Sequence, residues 1–224
     1  MPIGNSSLIV STFVLCSVIT YFSLCSRNFF SLHPLFMSFG FLLFMLNGIN
    51  VLSERLFGLL KSRSEKIKAH WILESLSVLF IFIGFLGIYA NKIFDGNPHF
   101  TTWHGFLGAV TVFYSVFQLF MGLVLHFNYN LWRSLLAYHN GRFLHAASGV
   151  VLSCLLSLTF MLGLCTNWFK SYAVLYFNSF SPLVLYLCMV IVTLNTFKVF
   201  LRVITKFCKC FKMKLFGSQK DAQR

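Results

Sequence analysis

Four histidines begin four successive apolar runs of the chain: His33, His70, His104 and His145. Successive membrane-crossing helices alternate in direction, so His33 and His104 are expected near one membrane face and His70 and His145 near the other. Imidazole is the commonest side-chain metal ligand. A haem iron held by two imidazoles has no open coordination position and passes electrons. The spacing therefore predicts two bis-histidine haems stacked across a bilayer.

The composition indicates an integral membrane protein with an all-α fold. The chain has 224 residues, of which 58% are hydrophobic and only 10% charged, and its mean hydropathy is +0.78. Soluble domains carry roughly 25% charge, and a membrane-spanning helix needs about 20 apolar residues. We expect a single polytopic domain, residues 1–224, with six transmembrane helices whose second to fifth members form a four-helix core. The apolar runs cover about 7–26, 33–52, 70–91, 102–126, 145–167 and 172–197.

The distribution of basic residues predicts the orientation of the chain. Of the 18 Lys and Arg residues, 15 fall in the segments 53–69, 127–144 and 198–224, which lie on one side of a six-helix protein. The positive-inside rule assigns that side, and both termini, to the cytosol. The net charge of +13 thus indicates membrane orientation rather than nucleic-acid binding, and the basic tail 203–224 is expected to meet anionic lipid.

Basic side chains precede the two histidines on the predicted cytosolic face. Lys66 and Lys68 precede His70, and Arg142 precedes His145. Such cations can hold haem propionates or an anionic reductant through charge-assisted hydrogen bonds. Positive-inside anchoring explains them equally well, so both interpretations stay open.

A smaller polar group precedes His104 on the opposite face. It comprises His99 and Trp103, with Lys92 and Asp95 nearby. These side chains can form a site for an electron acceptor, although an interfacial aromatic residue such as Trp103 is also typical of a membrane belt.

Zinc is the competing metal, and it requires about four N, S or carboxylate ligands around one point. His70 has Glu74 one turn along the same face, whereas His33 and His104 have only Asp95 as a possible carboxylate neighbour. This pattern favours haem. The alternative function is a metal-ion or proton transporter, or a structural membrane protein with interfacial histidines.

The cysteines do not follow a metal-binding spacing. Cys25 and Cys165 are both expected near the non-cytosolic face, and the sequence leaves their pairing undetermined. Cys208 and Cys210 lie beside the membrane in KFCKCFK, where S-palmitoylation is a possibility.

The segments around the four histidines resemble the cytochrome b561 family. They read SLHPLFMS, KIKAHWILE, HFTTWHGFLG and YHNGRFLHAASG, and they contain the patterns HP-x-x-M, HG-x-x-G and H-x-x-x-G. The resemblance runs from about His33 to Asn195 and is closest to the short branch of cytochrome b561 domain-containing transmembrane reductases. The chain departs from the better-studied ascorbate-using members at NGINVLSERLF and at TTWHG.

The resemblance implies six helices, two haem b groups and an ascorbate-dependent oxidoreductase of the ferrireductase type. It pairs His33 with His104 on the non-cytosolic haem iron, and His70 with His145 on the cytosolic one. Ascorbate would be the cytosolic donor, near Lys66, Lys68 or Arg142. Monodehydroascorbate or a ferric chelate would be the acceptor, near His99. It also implies a homodimer in the plasma membrane or an endomembrane (endoplasmic reticulum, vesicle or lysosome).

Overall fold

The computed structural model describes residues 3–26, 28–53, 62–127 and 138–177, with positions 186–187, 189–194, 197, 201 and 205. This part of the chain is helical and contains no strand. The helices are α1 (Ile3–Ser26), α2 (Leu32–Ser38), α3 (Leu46–Ser53), α4 (Arg63–Phe94), α5 (Trp103–Phe127), α6 (Tyr138–Leu164) and α7 (Asn167–Phe177). A 3₁₀ turn, Phe29–Ser31, precedes α2, and a π-helical segment, Phe39–Met45, joins α2 to α3.

Five stretches within the described residues are long and apolar enough to cross a membrane: Ile9–Ser26, Phe29–Leu52, Arg63–Phe94, Trp103–Phe127 and Asn140–Leu164. The all-α polytopic membrane fold expected from the sequence is therefore confirmed. The sixth predicted span, 172–197, lies only partly within the described residues. The tail 203–224 lies outside them apart from position 205.

Helix α4 extends well beyond its apolar run because both of its ends are capped. Ser62 Oγ accepts from the backbone N–H of Glu65, and the Glu65 carboxylate accepts from the Ser62 N–H, which together form a capping box. At the other end Gly96 has a φ of 63°, and the N–H of Asn97 donates to the carbonyl of Lys92. This Schellman arrangement needs a residue that tolerates positive φ, hence glycine.

The second span, Phe29–Leu52, is a composite of α2, the π segment and α3. The amide side chains of Asn47 and Asn50 donate to the carbonyls of Leu43 (2.6 Å) and Leu46 (2.7 Å). They thereby satisfy backbone groups beside the wider π turn, whose hydrogen-bond ladder differs from that of an α-helix. All three parts of this span pack against α4.

Two antiparallel hairpins form the centre of the bundle. The first hairpin is the second span with α4, the second is α5 with α6, and α4 also packs against α5. Phe41 of the first hairpin meets Phe160 of the second with ring centroids 5.4 Å apart. Helix α1 packs against the second span, and its side chains Leu15 and Phe22 are fully buried. Many large apolar side chains on the outer surface are exposed, Phe113 and Phe120 among them, as expected where lipid is the solvent.

We expect Gly40→Ala to destabilise the first hairpin. A Cβ at Gly40 would lie 2.6 Å from Ile81 Cγ1 and 3.0 Å from the backbone oxygen of Ser77. The backbone cannot yield as a flexible side chain does, so the cost should be about 1–3 kcal/mol. The measurement is the midpoint of thermal unfolding of the purified protein in detergent.

Gly87→Ala is the matched control at the same helix–helix contact. A Cβ there would meet Leu32 Cβ at an ordinary 3.4 Å, and alanine stabilises a helix by about 1 kcal/mol relative to glycine. Its midpoint should equal or exceed that of the unmodified chain. Equal midpoints for the two variants would contradict the packing described for Gly40.

Candidate functional site

The first pair of histidines lies where two helices begin. His33 is in the first turn of α2, and His104 is the second residue of α5. Their ring centroids are 5.9 Å apart and the ring planes are inclined by 74°. The two imidazoles, from different hairpins, therefore face each other across the bundle.

The second pair repeats this geometry at the opposite end. The ring centroids of His70 in α4 and His145 in α6 are 6.4 Å apart, with ring planes inclined by 77°. Within α4, 14 residues separate His70 from Gly84, which lies beside His33. At about 1.5 Å rise per residue, the two pairs are about 21 Å apart along the helix axis. The structure thus brings together the same four residues, in the same two pairs, that the sequence singled out.

Three of the four rings make a hydrogen bond through Nδ1 to a backbone carbonyl of the other helix in their own hairpin. The bonds join His33 to Gly84 O (3.1 Å), His70 to Gly48 O (2.8 Å) and His104 to Thr159 O (3.0 Å). A carbonyl accepts only from N–H, so the proton is on Nδ1. Nε2 then keeps its lone pair, which is the usual arrangement of a metal-binding histidine.

The fourth ring has a side-chain partner instead. The amide nitrogen of Gln118 lies 3.2 Å from His145 Nδ1 and donates to the backbone carbonyl of His145 at 2.7 Å. Gln118 belongs to α5, so this contact also joins the two helices of a hairpin.

A carboxyl group lies close to His70. Glu74 Oε1 is 3.7 Å from His70 Nδ1, farther than the carbonyl of Gly48, and it is buried without a hydrogen-bond partner among the described residues. No group of three His, Cys, Asp or Glu side chains suited to a metal ion occurs within those residues. A zinc site of ordinary ligand number is therefore not formed by this part of the chain.

A cavity of about 330 Å³ extends from the first histidine pair to the nearer end of the bundle. His33 and His104 lie in its wall, and its inner part is lined by apolar side chains such as Met37 and Phe41. Its outer part includes the polar side chains of Lys92 and His99 beside the aromatic rings of Tyr89 and Phe100. A flat apolar group with a polar edge fits this gradient.

Glycines of the second hairpin give the imidazoles their space. A Cβ at Gly122 would lie 2.8 Å from Cε1 of His145, and a Cβ at Gly163 would lie 3.1 Å from Cε1 of His104. Any larger side chain at either position would displace the ring. The absence of a side chain at these two glycines therefore leaves the space that the two imidazoles occupy.

The basic residues before the second pair differ in their placement. Lys66 is four residues before His70 and Arg142 three before His145, so each shares a helix face with the histidine that follows it. Lys68, two residues before His70, lies on another face and is exposed. Of the three, Lys66 and Arg142 are the better placed for an anion at this end.

His99 lies beside the outer part of the cavity. Its ring stacks on Tyr89 with centroids 4.4 Å apart, and the next residue, Phe100, has a φ of 58°, which is unusual for a residue with a side chain. Lys92 Nζ donates to the carbonyl of Pro98 at 2.6 Å and so holds this loop against α4. Trp103, in contrast, is 74% exposed, as expected for an interfacial aromatic residue.

The model of the eukaryotic cytochrome b561 family matches residues 32–170, which include all four histidines. The chain belongs to this family. Family membership implies binding of haem b.

Curated relatives match a similar region. The transmembrane reductase CYB561D2 is 34% identical over 146 residues in both the Bos taurus and the Homo sapiens proteins, covering 64% of this chain and 64% of theirs. The probable transmembrane reductase CYB561D1 of Mus musculus is 29% identical over 154 residues, covering 68% of this chain and 66% of that protein. The matches thus span just under two thirds of these relatives' own length.

The two pairs fit a haem of this family. With each nitrogen about 2 Å from a shared metal, as in histidine sites generally, two imidazole centroids lie roughly 6 Å apart, close to the 5.9 and 6.4 Å observed. The Nδ1 bonds leave Nε2 to the metal in three rings, and the glycines leave space around two of them. The nitrogen donors, the distances between the paired rings and the lining of the cavity are all compatible with a bound haem.

Sequence reasoning did not single out Gln118, Gly122 or Gly163. No pattern marks them, because their roles depend on which helix faces which. The carbonyls of Gly48, Gly84 and Thr159 are invisible in the sequence for the same reason, since every residue has a carbonyl. Only the spacing between two antiparallel helices shows which of these groups meets a histidine.

We expect Gly122→Ala and Gly163→Ala to disturb opposite ends of the bundle. Each added methyl group would contact one imidazole, His145 in the first variant and His104 in the second. Haem content per chain and the optical spectrum of the reduced protein are the measurements. Each variant should lose or broaden a different spectral component, and each serves as the control for the other. Loss of the same component in both would contradict the assignment of these glycines to separate pairs.

Proposed function

We propose that this protein carries electrons across a membrane through two haem b groups, from cytosolic ascorbate to an acceptor on the other side. The proposal rests on one observation above all: two pairs of facing imidazoles, matched in spacing and angle, at opposite ends of the bundle. The curated relatives that carry the name transmembrane reductase support the same activity.

In this proposal His33 and His104 bind one iron, and His70 and His145 bind the other. A haem held by two imidazoles supplies a centre that gains and loses one electron without an open position for oxygen. The protein holds the four rings at fixed positions through their Nδ1 contacts and keeps the space between the pairs apolar. Phe41 and Phe160 contact each other in the apolar core of the bundle.

The second pair is the proposed donor end. The positive-inside rule assigns the basic segments beside it to the cytosol. Ascorbate is an anion at neutral pH, and Lys66 and Arg142 share the helix faces of His70 and His145. Lys68 adds charge at the same end. Ascorbate there would release one electron and one proton and become monodehydroascorbate.

The first pair is the proposed acceptor end. Lys92 and His99 line the outer part of the cavity that reaches His33 and His104. A ferric chelate would be reduced to the ferrous state there, or monodehydroascorbate to ascorbate with uptake of a proton. Where the cytosol is electrically negative, outward movement of one electron releases about 2.3 kcal/mol per 100 mV. The membrane potential thus favours the proposed direction.

Replacement of His104 by Ala should remove one haem and retain the other. The remaining imidazole of that pair, His33, has no second ligand, whereas the pair about 21 Å away is unchanged. The measurement is haem per chain together with the reduced-minus-oxidised spectrum. In vesicles loaded with ascorbate, reduction of external ferricyanide should fall to the background rate. Replacement of His33 should give the same spectrum as replacement of His104.

His126→Ala is the matched control. His126 is an exposed imidazole at the end of α5 that packs on Trp71 and has no histidine partner among the described residues. Both haems and the transfer rate should survive its loss. Full haem content in the His104 variant would overturn the ligand assignment.

Replacement of Lys66 and Arg142 by Ala should slow reduction by ascorbate by about a hundredfold or more. The reason is the loss of charge-assisted hydrogen bonds, worth about 1.5–3 kcal/mol each. Stopped-flow absorbance with ascorbate measures the effect. Reduction by dithionite, which needs no specific site, should be unchanged.

Lys170→Ala is the matched control, since this exposed lysine near the start of α7 belongs to the opposite end. Its rate with ascorbate should equal that of the unmodified chain. If the double variant behaves like this control, ascorbate does not bind at Lys66 and Arg142, and the haem assignment is unaffected.

A further inference from the structure

The contact at Nδ1 distinguishes His145 from the other three histidines. His33, His70 and His104 each meet a backbone carbonyl there, whereas the side-chain amide of Gln118 lies 3.2 Å from Nδ1 of His145. A backbone carbonyl is present whatever the side chain, but an amide can be removed or replaced by substitution. At the end of the bundle that holds His70 and His145, the contact at a histidine Nδ1 can therefore be changed by substitution of a single side chain.

Gln118 is itself held in place on several sides. It is 8% exposed. Its amide nitrogen donates to the carbonyl of His145 at 2.7 Å, and its Oε1 accepts from Ser148 Oγ at 2.8 Å. Tyr114 OH in turn lies 2.7 Å from Ser148 Oγ and donates to the carbonyl of Ser148 at 3.1 Å.

Gly149 lies against the remaining side of the Gln118 amide. A Cβ at that position would lie 2.9 Å from Gln118 Nε2, so the amide fills the space that the glycine leaves. The network of Tyr114, Ser148 and Gln118 thus joins α5 to α6 and ends at the imidazole of His145. A side chain fixed in this way can hold a ring in one orientation.

We propose that Gln118 is the positioning residue of His145 and that it tunes the reduction potential of the haem bound at that end. The inference rests on the proposed function, in which His145 is an iron ligand. The group at the second nitrogen of a ligating imidazole fixes its orientation and its basicity, and ligand basicity and hydrogen bonding set the potential of a haem. The amide nitrogen of Gln118 can only donate, so among the described residues His145 lacks the carbonyl acceptor that the other three rings have at Nδ1. Gln118 occupies that position for His145 and for none of the other three rings.

The test is a redox titration of the purified, haem-loaded Gln118→Leu variant, followed optically and by electron paramagnetic resonance. Leucine has a similar volume but no polar atom, so it removes the Nδ1 contact without opening a large cavity. One of the two midpoint potentials should shift, and the low-spin signal of the same haem should change. The affected component should be the one that His104→Ala retains. Haem content should stay at two per chain.

Two further variants separate positioning from a general loss of structure. Ser148→Ala removes the donor to Gln118 Oε1 and should shift the same component by a smaller amount. Ser115→Ala is the matched control: Ser115 is buried one turn earlier on α5, and its hydroxyl donates to the carbonyl of Val112 at 2.7 Å. It should leave both potentials unchanged.

Unchanged potentials in both the Gln118→Leu and the Ser148→Ala variants would overturn the inference, as would equal shifts of the two components. If Gln118→Leu does not bind haem, Ser148→Ala decides alone by the same criteria. A failure of the proposed function looks different, because the unmodified chain would then lack two titrating haems. The proposed function is tested on the unmodified chain and the role of Gln118 on the variants, so the two failures can be distinguished.

Discussion

The structure depends on the contact between each histidine's Nδ1 and the neighbouring antiparallel helix. An imidazole nitrogen left without a partner in the interior of a membrane protein is costly. Gly84 and Gly48 satisfy His33 and His70 within the first hairpin. Thr159 satisfies His104 in the second hairpin. In these three rings the proton is on Nδ1, so Nε2 keeps its lone pair for a metal. Each hairpin carries two of the four histidines, one at each end.

This constraint explains why glycine and a π-helical segment occur where they do. A helix that must offer its carbonyl to a ring on the next helix has to approach closely, and Gly40 and Gly84 allow this in the first hairpin, where a Cβ would meet backbone atoms at 3.0–3.2 Å. The π segment, Phe39–Met45, lies between the two ends of the second span. A wider turn there changes the rotational phase of α3 relative to α2, while both remain packed on α4.

The sequence predicted the positions of the histidines well because apolar run length and alternation of direction are strong constraints in a bilayer. His33 with His104 and His70 with His145 follow from those two rules alone, and the structure places the ring centroids of each pair 5.9 and 6.4 Å apart. The rules do not specify rotation about a helix axis. Gln118, Gly122 and Gly163 therefore escaped prediction, since each matters only through the residue that faces it. Helix ends were also missed: the apolar run of α4 begins near His70, but the capping box at Ser62 starts the helix earlier.

The arrangement also couples cofactor binding to the assembly of the bundle. Each imidazole is hydrogen-bonded within its own hairpin, but the ring it faces belongs to the other one. A metal shared by His33 and His104 would therefore join α2 to α5, and one shared by His70 and His145 would join α4 to α6. Binding free energy at a site absent from the unfolded chain becomes folding free energy. The direct contacts between the hairpins, such as Phe41 with Phe160 and Phe85 with Phe113, are apolar. Because lipid is equally apolar, these contacts do little to favour one orientation of the first hairpin relative to the second. Metal ligation is directional, so a metal bound by a histidine of each hairpin would determine the register between the hairpins more than these apolar contacts do.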